Sequence, residues 1–243
     1  MNILGASDRG SVREENQDDF AYKLIAENEG FALVCDGMGG ANGGAVASRI
    51  AVSLIAERIL SSFRQDMTAA SLENVLESAV AAANIEIFDR GVADASLRGM
   101  GTTLVGVVIH GGEAHVVHVG DSRAYLYRDG TFFQLTSDHS YVQDMVDQGK
   151  MTPEQARSDP RKHIITRALG VDESVQMDLD TVPFSEPGEL LLLCSDGLTN
   201  MVETDEIQHL IETTPFVQLP ETLVQAAISH GGADNVTVVA VLE

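Results

Sequence analysis

Phe31-Ala32-Leu33-Val34-Cys35-Asp36-Gly37 decides how this chain folds. An unbroken apolar run ends on a carboxylate and a glycine. That reads as a buried strand that delivers an aspartate at its end and then turns on the glycine. The device recurs far downstream, where Leu190-Leu191-Leu192-Leu193-Cys194-Ser195 runs into Asp196-Gly197. A buried strand end is a costly place for an unpaired carboxylate, because desolvation disfavours the ion. With Asp18 in Asn16-Gln17-Asp18 and Asp234 in Ala233-Asp234-Asn235, four carboxylates are expected to converge on cations. Taken singly, each is also an ordinary turn residue, since Asp before Gly or Asn is common in turns.

Outward from these strands the pattern alternates between sheet and helix. Met1 to Gly5 and Phe20 to Leu24 read as short strands. Ala45 to Phe63 and Leu72 to Phe88 carry apolar residues at helical spacing, the second with Ser71 as N-cap. Thr102 to Ile109 and Ala114 to Val119 form a hairpin through Gly111-Gly112, and Ala124 to Tyr127 and Phe132 to Leu135 another through Asp129-Gly130. Ser140 to Gln148 is expected to be helical. Met151 to His163, with Pro153, Pro160 and many charges, reads as an excursion from the core. Val175 to Val182 is expected as a strand with one exposed face, Glu206 to Ile211 and Leu219 to Ser229 as helices, and Asn235 to Leu242 as the final strand. Adjacent hairpins mean antiparallel sheets, and segregated helix pairs mean helices covering sheet faces. The expected fold is α+β: two packed sheets with a helix layer outside each.

The 243 residues contain no linker, repeat or low-complexity run, so one domain over 1–243 is expected. No apolar stretch approaches the roughly 18 residues of a membrane span. The N-terminus lacks the pattern of a signal peptide. A net charge of −22 argues against nucleic acid, whose phosphates would be repelled. It suits a soluble protein that binds divalent cations, although a solubilising surface explains most of the excess. Cys35 and Cys194, each closing an apolar run, are expected as reduced buried thiols in a cytoplasmic protein.

Oxygen-only carboxylate donors select Mg²⁺ or Mn²⁺ over zinc. The histidines show no ligand spacing, and Gly-x-Ser-x-Gly is absent. Asp36-Gly37-Met38-Gly39-Gly40 lacks the lysine of a nucleotide P-loop. Eight short motifs stand in one order along the chain: Arg13-Glu14-Glu15-Asn16-Gln17-Asp18, Asp36-Gly37-Met38-Gly39-Gly40, Gly101-Thr102-Thr103, Gly120-Asp121-Ser122-Arg123, Leu135-Thr136-Ser137-Asp138-His139-Ser140, Ile165-Thr166-Arg167-Ala168-Leu169-Gly170, Ser195-Asp196-Gly197-Leu198 and Asp234-Asn235-Val236-Thr237. In order and spacing they resemble the metal-dependent PP2C-type (PPM) protein serine/threonine phosphatases, in their compact bacterial branch.

The resemblance implies a four-layer α-β-β-α sandwich with a binuclear site in a cleft at one edge. By it, Asp36 bridges two metals, Asp196 and Asp234 complete the first shell, and the Gly37 carbonyl with Asp18, through water, holds the second. Asp121 with Asp196 matches a weaker third cation site, Arg13 grips the substrate phosphate, and residues 137–169 form a flap that shapes substrate access. It implies hydrolysis of phosphoserine and phosphothreonine on proteins by a water or hydroxide bridging two divalent cations, Mn²⁺ or Mg²⁺. The partner is a phosphorylated protein, opposed by a serine/threonine kinase, and the chain is expected to be a monomer. Two alternatives keep the fold: a regulatory binding module without catalysis, or a phosphatase dedicated to one regulator. Two departures bear on leaving-group protonation. Met38 stands where eukaryotic relatives carry histidine, and Ala41 and Gly44 stand where many bacterial members carry histidine and an acidic residue.

Overall fold

Both quoted stretches become central strands. The computed structural model describes residues 1–243, apart from the side chains of Ala41 and Asn42. One sheet has the strand order β1 (Asn2–Asp8), β11 (Val236–Leu242), β10 (Leu190–Cys194), β7 (Arg123–Arg128), β8 (Thr131–Gln134). The other runs β2 (Asp18–Ala26), β3 (Glu29–Met38), β5 (Leu104–His110), β6 (Glu113–Val119), β9 (Asp178–Pro183), with β4 (Gly101–Thr102) paired to the end of β3. Every pairing is antiparallel.

The side-chain period of two divides each strand between two cores. Ala32 and Val34 of β3 meet Leu191 and Leu193 of β10 in the layer between the sheets. Phe31, Leu33 and Cys35 point the other way, onto α1 (Gly40–Ser62) and α2 (Ala69–Ala93). Leu190, Leu192 and Cys194 point outward onto α6 (Thr204–Thr213) and α7 (Leu219–Ser229). A strand buried on both faces has no polar alternation, which is why these runs read as continuous. The result is the expected α-β-β-α sandwich.

Several local expectations shift. Asp36-Gly37 is no turn: β3 continues through it, with Gly37 opposite Thr102 and Met38 opposite Gly101. Gly197 likewise lies inside the short helix α5 (Asp196–Thr199). Both glycines serve close approach rather than chain reversal. A Cβ would stand 2.1 Å from the Gly44 carbonyl oxygen at Gly37, and 1.9 Å from the Asn235 carbonyl oxygen at Gly197. True reversals occur at Gly111-Gly112 and Asp129-Gly130, where both residues of each pair have positive φ, as two-residue hairpins require.

Helix α1 begins at Gly40, five residues before the expected start. Helix α2 is capped by Thr68, whose hydroxyl accepts from the Ser71 N–H, so Ser71 lies inside the first turn. Ser140 caps α3 (Tyr141–Asp147). The 151–163 excursion contains α4 (Pro153–Ser158), started by a Thr152–Gln155 capping box with Pro153 at the first turn. Cys35 and Cys194 are buried and unbridged. Burial pushes the Cys194 thiol up to about 12. Among the described residues, no helix is long and apolar enough to cross a membrane.

Candidate active site

The ends of β3, β6 and β10 and the start of β11 open into one cleft of about 1120 Å³. Arg13, Asp36, Gly37, Asp121, Asp196 and Asp234 all line it. Asp18 lies beyond the cleft wall, directly opposite Asp36 across the β2–β3 pair, and is 9% exposed. That position fits a ligand acting through an intervening water better than a direct one.

Asp36 is held by its backbone. Its N–H donates to Thr103 Oγ1 at 2.9 Å, and its carbonyl accepts from the Thr102 hydroxyl and the Thr103 N–H. The side chain is thereby left free for the cleft. Burial raises its pKa well above the carboxylate range, and Asp18, Asp196, Asp121 and Asp234 add repulsion. Asp18 Oδ2 accepts from Ser195 Oγ and Thr237 Oγ1, each at 2.7 Å. Its pKa is nonetheless pushed up to about 7, chiefly by burial. Asp196 opens α5 and accepts from Asn200 Nδ2 at 2.8 Å; burial and then Asp234 raise its pKa. Asp121 follows β6 through Gly120 and is raised to about 7 by burial and by Asp196.

Buried carboxylates that repel one another and keep oxygens without a donor fit a cation. Asp18 Oδ1 and Asp196 Oδ1 are both buried without a hydrogen-bond partner. An orphaned acceptor of this kind costs on the order of 1–3 kcal/mol and calls for an occupant. The all-oxygen donor set suits a hard divalent ion.

Arg13 meets Asp234 in this structure, Nη2 to Oδ2 at 2.7 Å, on a half-exposed side chain. The hydrogen bond to Asp234 raises the arginine pKa further. Arg13 sits on a loop pinned by Asn235: Asn235 Nδ2 donates to the carbonyls of Arg9 and Glu15, and Oδ1 accepts from the Gln17 N–H. The dipeptide Asp234-Asn235 therefore contributes both a carboxylate and the anchor for the phosphate-binding candidate.

Sequence reasoning missed the supports. Ser195 and Thr237, which clamp Asp18, stand within two of the quoted motifs, but nothing in the sequence joins them to Asp18. His163 and Ile165, from the segment read as a flap, line the cleft beside the aspartates. Met38 also lines it, and its thioether has no proton to donate. Ala41 lies outside the described side chains.

A sandwich of this topology with carboxylates gathered at one edge is that of the metal-dependent phosphatases, and the chain belongs to the protein phosphatase 2C family, whose model matches residues 7–232. It is 37% identical over 242 residues to the serine/threonine phosphatase stp of Listeria monocytogenes, covering 99% of this chain and 95% of that protein. The crystal structure of the Mycobacterium tuberculosis serine/threonine phosphatase PstP/Ppp superposes with a TM-score of 0.88 at 37% identity, covering 100% of this chain and 98% of that one. A structure of the PstP catalytic domain in complex with two manganese ions aligns with a TM-score of 0.85 at 35% identity, covering 98% and 96% of the respective chains.

Proposed function

We propose that residues 1–243 form one phosphatase domain that hydrolyses phosphoserine and phosphothreonine on proteins, using two divalent cations, with Mn²⁺ favoured over Mg²⁺. The observation that carries this is the set of crowded, cation-seeking carboxylates in and just behind one cleft, two of them, Asp196 and Asp18, with a buried unpartnered oxygen. Asp36 would lie between the cations, Asp196 and Asp234 on one side, and the Gly37 carbonyl and Asp18 on the other. Asp121 with Asp196 would hold a weaker third. Bound there, the cations would supply an activated water at neutral pH and neutralise charge on the phosphoryl oxygens.

The chain's own residues do the rest. Arg13 swings from Asp234 to the phosphate, offering a planar fork of donors. Its release also frees Asp234 Oδ2 for a cation. Thr102 and Thr103 keep the Asp36 backbone still, and Asn235 keeps the Arg13 loop within reach. Segment 137–169, entering the cleft at His163 and Ile165, acts as the flap over a bound phosphopeptide. The reading carries with it a monomeric cytoplasmic enzyme that opposes a serine/threonine kinase. The test is turnover of p-nitrophenyl phosphate and of a phosphothreonine peptide with Mn²⁺ or Mg²⁺. Activity should vanish with chelator and return on adding the metal; undiminished activity after exhaustive chelation refutes the reading.

A further inference from the structure

His118, His139 and Asp178 lie away from the acidic cluster, with donor atoms within 4.8 Å of one another. The spacing is that of a metal cage, but the hydrogen bonds of His139 take it out of one. His139 Nδ1 faces the Gly120 N–H at 3.1 Å, so this nitrogen is the acceptor. A neutral ring then carries its proton on Nε2, which lies 3.0 Å from Asp178 Oδ2 and donates to it. That leaves no lone pair for a cation on the His139 ring. The Arg167 guanidinium also stands there, 2.9 Å from Asp178 Oδ1 and 3.1 Å from His139 Nε2. His118, packed against the His139 ring at 4.6 Å between centroids, is held neutral: burial pushes it down to about 4.

What the network does is grip one residue. The His139 N–H donates to the Gly120 carbonyl at 2.7 Å while its ring accepts from the Gly120 N–H. Both backbone groups of Gly120 are thus tied to His139, which is 5% exposed. Gly120 has φ +109, and a Cβ there would stand 2.7 Å from Thr103 Cγ2. The next residue is Asp121. On its far side, the His139 carbonyl accepts from the Thr166 N–H at 2.8 Å, and Asp178 joins its ring to Arg167. Thr166 and Arg167 are the limb by which the 137–169 segment returns to the core.

We propose that His139 is a positioning residue for the weak cation site: its Nδ1 fixes Gly120 in the conformation that aims Asp121 into the cleft, and its Asp178–Arg167 contact ties that grip to the returning limb of the flap. The inference rests on the reading of Asp121 as a cation ligand. It separates the two ring nitrogens by role. An asparagine reaches the Nδ1 position but not the Nε2 position, and a glutamine does the reverse.

The experiment is Mn²⁺ titration of His139→Asn, His139→Gln and Asp121→Ala proteins by calorimetry, with urea unfolding to verify the fold and steady-state kinetics alongside. His139→Asn should keep the weak-site affinity within about twofold of wild type. His139→Gln should weaken it about tenfold, the worth of one buried hydrogen bond, with the tight sites unchanged and kcat falling while KM holds. Equal weak-site affinity in the two His139 variants overturns the positioning role. Asp121→Ala should abolish the weak site; if that site survives intact, the reading of Asp121 fails first, independently of His139.

Discussion

Asp18→Asn tests whether the carboxylate cluster is held against its own stability. Asp18 is buried, and its pKa stands at about 7 rather than 3.8. An acid whose folded-state pKa lies above its unfolded one binds extra proton in the folded state across that window. The metal-free protein therefore loses stability as pH rises from about 4 through 7. The gap corresponds to on the order of 4 kcal/mol at pH 8. Asparagine removes this charge while its carbonyl oxygen can still accept from Ser195 and Thr237. Its NH₂ takes the place of the unpartnered Oδ1, at a cost of about 1–3 kcal/mol. The metal-free variant should thus be about 1–3 kcal/mol more stable than wild type at pH 8, and within about 1 kcal/mol of it at pH 5.5, where the gap has shrunk to about 2 kcal/mol. Saturating Mn²⁺ should reverse the order, because a cation that binds only the folded state stabilises the wild type by mass action. Urea unfolding at the two pH values, with chelator and with Mn²⁺, measures all four comparisons. An Asp18→Asn protein that is less stable than wild type at pH 8 in chelator, or that keeps the full pH dependence, refutes the reasoning.

Asp36→Asn should abolish both turnover and tight Mn²⁺ binding, seen by kinetics and calorimetry, because this carboxylate is the one proposed to lie between the two cations. Arg13→Ala should lower kcat/KM by about 10- to 150-fold, the loss of one charge-assisted contact worth about 1.5–3 kcal/mol, while Mn²⁺ affinity holds or rises as Asp234 loses its ion pair. Gly197→Ala should cost about 1–3 kcal/mol in urea unfolding and reduce activity, since the new Cβ collides with the Asn235 carbonyl and disturbs the anchor of the Arg13 loop. Alkylation of the unfolded protein without reductant should label both Cys35 and Cys194; a mass lacking both labels contradicts their unbridged state.

The layers were legible because the decisive strands are buried on both faces. Phe31–Cys35 and Leu190–Cys194 cannot sit anywhere but between a sheet and a helix layer, and the Gly111-Gly112 and Asp129-Gly130 reversals make their neighbours antiparallel. Asp36 and Asp196 could be read as special from the charge that follows each apolar run. The reading of Gly37 and Gly197 as turn residues failed for one reason: the atoms that exclude a side chain belong to Gly44 and Asn235, and sequence does not reveal who approaches. The caps slipped by a few residues because Thr68 and Ser71 are both competent, and only geometry decides which hydroxyl accepts. The Ser195–Asp18–Thr237 clamp, the Arg13–Asp234 pair and the grip of His139 on Gly120 join distant segments, and no local pattern announces them.

Strand β11 enters the sheet between β1 and β10, and Asp234-Asn235 stands at its threshold. The cleft is thus closed by the last strand of the domain, wedged between its first strand and one of its later ones. Until β11 slots in, Asp234 is absent from the cleft, Thr237 cannot hold Asp18, and the loop bearing Arg13 has no pin. Pairings of such sequence separation form slowly. A growing chain would therefore carry most of its carboxylates without being able to assemble them, and catalytic competence would arrive in a single late step rather than accumulate during synthesis.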